Sequence, residues 1–408
     1  MKAANIFRTA ISFAVFLFFT AAAVSAQIAV KGETVYTMAG APITNGVVLI
    51  NNGKIESVGP AASVKIPANY RVINAKVVTP GLIDAHTVVG LNGYLNQPHD
   101  QMAYDGSGAF QPELRAIDAY NPNEKLIEWL RGLGITTIHT GHQPSALVTG
   151  QMMIAKTFGD TVDEATIVPT SMIAATFGRS GLGRQGKSPG TTAKAAAMLR
   201  AELIKAQEDA AKKEPSKDLR STIMRRVINR EIPLLVNVNR SQDIMTVLRI
   251  AKEFNIKIVL DEVADAHLVL PEIKASGFPV IVHATMAGAY GDSENLSLTT
   301  AAKLKEAGIP FAFQSGYESY VPKTRIVLFE AAMAAANGLS RDDAMAALTI
   351  NAAKLLGIDA RVGSLETGKD ADLAMYDGDP FEYVTHCTGT IINGKLVSEG
   401  EIRIGAEK

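Results

Sequence analysis

Eight short apolar runs set the strongest limit on what this chain can fold into. They read GLIDAHTVV, ITTIHT, MMIAKTF, TIVPTSMIAA, PLLVNVN, IKIVLDEV, PVIVHAT and IPFAFQS, between Gly81 and Ser315. Such runs are strands buried on both faces, and helix-period segments separate most of them. The pattern predicts an α/β fold built on a parallel (β/α)8 TIM-type barrel over residues 79–359. The helices carry their own stop and start signals. NEKLIEWLRGLG ends in Gly134, SQDIMTVLRIAKEFN opens at an N-cap Ser241, and SRDDAMAALTINAAKLLG runs from Ser340 to Gly357.

The flanks follow a different rule. GVVLINNGKIESVG places Asn52-Gly53 between two apolar runs, a hairpin signal, and GTIINGKLVSEG repeats it at Asn393-Gly394. Neither end has enough strands to bury an apolar face alone, so residues 27–78 and 360–408 are expected to share one small β-sandwich. Two stretches depart from the alternation. Leu91 to Tyr120 is polar and long, which reads as a loop over one barrel end. Thr191 to Arg230 is rich in Ala, Lys, Glu and Arg and reads as exposed helix broken near Pro215.

Composition excludes several classes. A chain of 408 residues with 47% hydrophobic and 20% charged residues is globular, and its net charge of −1 offers no footprint for nucleic acid or an anionic membrane. Residues 1–26 have Lys2 and Arg8 ahead of an apolar stretch from Ala10 to Val24, then Val24-Ser25-Ala26. This is the pattern of a secretory signal peptide cleaved after Ala26. The other reading is a membrane anchor, but the run is shorter than the roughly 20 residues that span a bilayer. The mature protein is therefore expected in the periplasm or secreted, without a stable membrane anchor. Cys387 is the single cysteine, so no internal disulfide is possible.

TPGLIDAHT, SALVTGQMMIAKTFGDTVDEA, TINAAKLLGI and VGSLETGKDADLAMYDGDP occur in that order over nearly the whole chain. In this the chain resembles the amidohydrolase superfamily, in particular imidazolonepropionase-like amidohydrolases from outside the cytoplasm. The resemblance implies a barrel with a terminal β-sandwich, and hydrolysis of an amide-like or ring C–N bond by a metal-activated water. It also implies a zinc or similar divalent ion held by His-x-His on the first strand, histidines on the fifth and sixth, and an aspartate on the eighth, with a lysine sometimes contributing. Alternate residues of a strand point the same way, so His-x-His aims two imidazoles at one ion.

This chain departs from that pattern at most positions. His86 matches the first histidine, but the second position is Val88. The fifth strand reads Asn237-Val238-Asn239-Arg240, the sixth has Glu262, and the eighth has Gly316 between Gln314 and Tyr317. Lys156 matches the lysine, with a plain surface cation as the other reading. One imidazole does not hold a catalytic zinc, which takes three protein ligands and a water, so no metal cofactor is expected. Losing a metal that lowers water's pKa from 15.7 to near 7 forfeits on the order of 12 kcal/mol. A general base, at about 10²–10⁴-fold, does not replace it.

Two other arrangements stay open. His139, His142 and His283 lie near strand ends and, with His86 and Glu262, form a candidate displaced site. A metal-free enzyme would use Glu262 or Asp261 as base, His86 as acid, and Arg240 with the Asn237 and Asn239 amides as oxyanion donors. The preferred reading is that these groups satisfy one another where a metal once sat. His99 and His267 are expected in solvent or loops, and His386 in the terminal sandwich. The Gly-rich basic loop from Gly178 to Gly190 suggests a mobile lid or an ordinary exposed loop. The favoured function is a non-catalytic subunit that binds a small-molecule or peptide-derived ligand or partners an intact homologue. The alternative is an active hydrolase of non-peptide or small-peptide C–N bonds with a relocated or metal-free site.

Overall fold

The computed structural model describes residues 27–183, 187–283, 285, 288–317 and 327–400. The expected signal peptide lies outside the described residues. Strands β1 (Ile28–Val35), β2 (Ile43–Asn51), β3 (Lys54–Pro60) and β4 (Arg71–Pro80) open the chain. The middle supplies β5 (Leu82–Thr87), β6 (Ile135–Thr140), β7 (Val148–Lys156), β8 (Thr166–Phe177), β9 (Leu234–Val238), β10 (Ile258–Glu262), β11 (Val280–Val282) and β12 (Phe311–Ala312). The chain then returns as β13 (Leu373–Tyr376), β14 (Cys387–Ile392) and β15 (Lys395–Ser398). The helices are α1 (Lys125–Gly132), α2 (Val162–Ala165), α3 (Thr192–Ala210), α4 (Leu219–Ile228), α5 (Ser241–Phe254), α6 (Leu270–Ser276), α7 (Thr300–Ala307), α8 (Val327–Ala336), α9 (Arg341–Ala347) and α10 (Ile350–Leu356).

Both chain ends meet in one seven-stranded sheet, ordered β15-β14-β13-β4-β1-β2-β3. The two Asn-Gly pairs turn its hairpins: Asn52 and Gly53 have φ of 50° and 79°, Asn393 and Gly394 50° and 73°. Positive φ at both central residues is the turn whose twist matches the strands it joins.

The eight runs of the middle form one eight-stranded sheet in chain order, β5 to β12. It is almost a closed barrel. Across the seam between β5 and β12, Ala85 donates its N–H to Phe313 O at 3.1 Å. The buried Asp84 carboxylate bridges the same gap, accepting from Ser315 N at 3.0 Å and from its hydroxyl.

One expectation is overturned: the barrel is not wholly parallel. β7 runs antiparallel to both β6 and β8. The links 141–147 and 157–165 that flank it are too short for a parallel crossover, which takes a dozen or more residues. The long segment 91–120 is also placed differently. It lies along β7, with Gln111 N donating to Val148 O at 2.9 Å and Gln151 N to Leu114 O at 2.7 Å.

Local signals hold with small corrections. Ser340 caps α9 by accepting from Asp343 N, and Gly357 closes α10 in the left-handed region, with a break at Leu348 and Thr349 between the two helices. Ser241 is the first residue of α5, not its cap; its N–H is satisfied by Asp265 Oδ2 at 2.8 Å. The Ala-rich stretch forms α3 and α4, and α3 is exposed on one side only, since Ala195, Leu199, Leu203 and Ala206 are buried.

Candidate functional site at the barrel mouth

The barrel interior is set by strand alternation. One apolar cluster takes Ile83 and Ala85 from β5, Met152 and Ile154 from β7, Met172 and Ala174 from β8, Leu235, Val259, Ile281 and Ala312 from the next four strands, with Ala352, Ala353 and Leu356 of α10. Two residues further along each strand the side chain faces the same way. Those positions are Asn237, Asp261, His283 and Gln314, so the lining turns from apolar to polar toward the strands' C-terminal ends. On β5 the register slips between Asp84 and Thr87. His86 reaches the same interior, and Val88 packs instead in the larger cluster with Val89 and Leu91.

Asp261, fully buried, is the hub. Its Oδ2 lies 3.1 Å from His86 Nδ1 and accepts from Asn237 Nδ2 at 3.1 Å, while its Oδ1 accepts from Gln314 Nε2 at 2.9 Å. Gln314 also donates to Val282 O at 3.1 Å, so its amide nitrogen faces two acceptors and its orientation is fixed. Asn237 donates its second N–H to the Tyr317 hydroxyl, whose ring centroid sits 4.9 Å from that of His86. Asn239 donates to Glu262 Oε2 and accepts from Ala264 N at 3.1 Å. Burial, joined by the charge of Asp261, raises the Glu262 carboxyl above its usual range, against the pull of hydrogen bonds from Tyr317, Asn239 and Asn237. Glu262 and Val263 have φ of 70° and 47°, rare for side chains of their size. Backbone strain of this kind gathers at sites where surrounding contacts over-determine it.

Among the described residues, two buried atoms in this network have no hydrogen-bond partner, His86 Nε2 and Gln314 Oε1. His139 is close, with ring centroids 6.3 Å apart, but is fully committed. Its Nδ1 meets Ala85 O at 2.8 Å and its Nε2 meets Ser171 Oγ at 2.9 Å. Burial, helped by the neighbouring His86, pushes its pKa down to about 3, so the ring stays neutral.

The remaining residues singled out in the sequence have their described contacts elsewhere. His283 binds Ser297 O at 3.2 Å and Thr300 Oγ1 at 3.3 Å through Nε2. His142 is buried against Gly150, and burial lowers its pKa to about 4. Arg240 turns outward to Asp292 at 3.3 Å and Glu294 at 3.5 Å, beside Gly178 and Arg179 of the Gly-rich loop. His99 is exposed, His267 is half-buried in a short helical turn, and His386 pairs with Asp377 at 3.3 Å.

Lys156 is neither a surface cation nor a mouth residue. Because β7 is reversed, its last residue falls at the opposite end of the barrel, level with Thr137. There its buried ammonium meets Asp370 at 2.8 Å and Asp372 at 3.0 Å. Sequence reasoning treated Asp261 only as an alternative base and passed over Asp84. Alternation from Val259 to Asp261, in step with Leu235 to Asn237, was the available signal for the first.

The donor set tests the site against a metal. His86 turns Nδ1 to Asp261, His139 uses both ring nitrogens, and the amides of Asn237, Asn239 and Gln314 present N–H groups to the two carboxylates. Among the described residues, no three His, Cys, Asp or Glu side chains converge as metal ligands. No helix among them is long and apolar enough to cross a membrane.

A barrel with apolar fill below and a polar, hydrogen-bonded mouth belongs to the barrel proteins that place their working residues at the strands' C-terminal ends. The chain belongs to the amidohydrolase family, whose model matches residues 89–398. It is 25% identical to the imidazolonepropionase of Shewanella sp. (strain MR-4), over 88% of this chain and 94% of that protein. It is likewise 25% identical to the imidazolonepropionase of Fusobacterium nucleatum subsp. nucleatum, over 86% and 91%. Among solved structures, an amidohydrolase from Thermotoga maritima MSB8 superposes with a TM-score of 0.84 at 26% identity, covering 91% of this chain and all of that one. E. coli guanine deaminase shares the fold, with a TM-score of 0.56 at 16% identity over 91% and 99% of the two chains.

Proposed function

We propose that this amidohydrolase-family protein has exchanged its metal site for a hydrogen-bond network, and acts as a ligand-binding or partner subunit. Its ligand is a small molecule or peptide-derived compound received at the barrel mouth, and its partner is an intact homologue. The observation that carries this reading is the engagement of both oxygens of Asp261, which accept from His86, Asn237 and Gln314 together. Hydrogen bonds to a charged group contribute about 1.5–3 kcal/mol each, and an arriving metal would have to displace them. Asn237 and Asn239 stand where imidazoles are expected and serve the two carboxylates. The signal-peptide pattern in the sequence of residues 1–26 supports a place in the periplasm or outside the cell. The seven-stranded sheet supports the terminal sandwich, since a single apolar cluster draws on β1, β2, β3, β4, β13 and β14.

Metal analysis of the purified mature protein tests the reading. Well under one equivalent of transition metal, and no rise in melting temperature with added zinc, is the expected result. Stoichiometric metal whose removal by a chelator destabilises the protein overturns it.

One observation favours a second reading. His86 holds Asp261 through Nδ1 and leaves Nε2 unpaired, the arrangement of an imidazole base oriented by a carboxylate. Under this reading the protein hydrolyses a small C–N bond without a metal. Turnover of an amide and cyclic-imide panel, lost in both His86→Ala and Glu262→Gln, would establish it.

A further inference from the structure

Outside the Asp261 network, the loops at the barrel's C-terminal face enclose a cleft of about 400 Å³. The chain just past β8 supplies Arg179, the start of α3 supplies Thr192, the start of α5 supplies Arg240 and Asp243, and the segment after β11 supplies Asp292. That volume lies in the range that holds a small ligand, and barrels build their ligand sites from the loops on this face.

The charges on the cleft wall do not all pair with one another. Arg240 lies 3.3 Å from Asp292 and 3.5 Å from Glu294, and donates to Gly291 O at 3.2 Å. Asp292 also accepts from Arg179 N at 2.6 Å, so both of its oxygens are engaged. What is left over is one group of each sign, Asp243 and the Arg179 guanidinium. Asp243 is only 6% exposed, and among the described residues its carboxylate meets the Thr192 hydroxyl but no lysine or arginine at ion-pairing distance. Burial, joined by the charge of Asp292, raises its carboxyl above the usual range, against the pull of Arg240 and Thr192. The Arg179 side chain is exposed, and among the described residues only the backbone of Arg179 is hydrogen-bonded.

A carboxylate this buried is normally paired, and a ligand that brings positive charge to Asp243 relieves the cost of leaving it alone. A cation by itself would leave Arg179 without a counter-charge, and an anion by itself would face Asp243. We infer that this cleft binds a small amino acid, whose ammonium pairs with Asp243 and whose carboxylate pairs with the Arg179 guanidinium. An ammonium has three N–H donors, enough for Asp243 and a neighbouring hydroxyl, and a guanidinium fork matches the two oxygens of a carboxylate.

The test is thermal melting of the mature protein with glycine, β-alanine or 4-aminobutanoate at about 50 mM, three lengths that set the two charges at different separations. Each is compared with its N-acetyl form, which lacks the ammonium, and with its amide, which lacks the carboxylate. At least one of the three is expected to raise the melting temperature by about 1–3 °C, and its two blocked forms are not. The shift is expected to vanish in Asp243→Asn and in Arg179→Gln, each measured against its own baseline. Arg179 is exposed, so its variant keeps the test open even if Asp243→Asn fails to fold. No response to any of the three, an equal response to a blocked form, or a shift that survives Arg179→Gln overturns the inference. Metal content at the mouth decides the reading given above and leaves this inference untouched, while failure here leaves that reading standing.

Discussion

Lys156 and Asp370, separated by 214 positions in the sequence, form a buried ion pair of 2.8 Å that ties the last residue of β7 to the segment leading into β13. Asp372 and Asn393 bind the same ammonium, while Lys54 and Arg361 reach Asp370 from the surface. Without Lys156, Asp370 keeps Lys54 and Arg361 but the buried Asp372 loses its cation, and removing one partner of a buried pair costs about 3–5 kcal/mol. Lys156→Met is therefore expected to lower stability by that amount, read by chemical denaturation.

Acid should weaken the fold through two histidines. His139 and His142 have folded pKa values of about 3 and 4, chiefly because burial opposes their charge, against about 6.5 when unfolded. Between pH 6 and 4 the unfolded chain thus binds two protons that the folded one does not, and stability falls as pH falls. Asp84 acts in the opposite sense, since burial raises its carboxyl to about 6 and the folded chain holds that proton longer. These three groups alone leave a difference of about one proton, a contribution of about 1.4 kcal/mol per pH unit in that window, which the raised carboxyls of Glu262 and Asp372 oppose further. In Asp84→Asn one opposing proton is gone and the slope should steepen by about 1.4 kcal/mol per pH unit, as denaturation at pH 6, 5 and 4 would show.

Restoring the family's histidine at position 88 should not restore a metal. Val88 is fully buried among Val89 and Leu91, so an imidazole there enters apolar packing. Val88→His is expected to cost about 2–4 kcal/mol from overpacking and an unpaired polar group. Zinc titration of the folded variant should show no stoichiometric site.

Arg240 offers a contrasting control. Its partners Asp292 and Glu294 are partly exposed, and such pairs contribute about 0–1 kcal/mol. Arg240→Gln should change stability by no more than that, as chemical denaturation would show.

How far the sequence carried this picture depended on which signals were local. All eight barrel strands, both Asn-Gly hairpins and the cap at Ser340 were legible, because burial runs and turn residues act within a few positions. The direction of β7 was missed: an apolar run says that a strand is buried, not which way it points, although the seven residues between Thr140 and Val148 were too few for a crossover. At the site, His86 was legible as a match to a family pattern, and Asn237, Asn239 and Glu262 as departures from it. The role of Asp261 as the shared acceptor was not, because it depends on four strands meeting in space. Lys156 was misplaced for the same reason as β7.

The reversed strand also bears on how the chain finds its fold. A regular barrel pairs each strand across an intervening helix, which forces long excursions before the first contact forms. Here β6, β7 and β8 follow one another as an antiparallel meander within residues 135–177, with pairs such as Thr140 and Met153 only 13 positions apart. Short loops close at little entropic cost, so these three of the eight strands are the natural starting seed for the rest. Pulse-labelled hydrogen exchange during refolding should find its amides protected before those of β10 to β12.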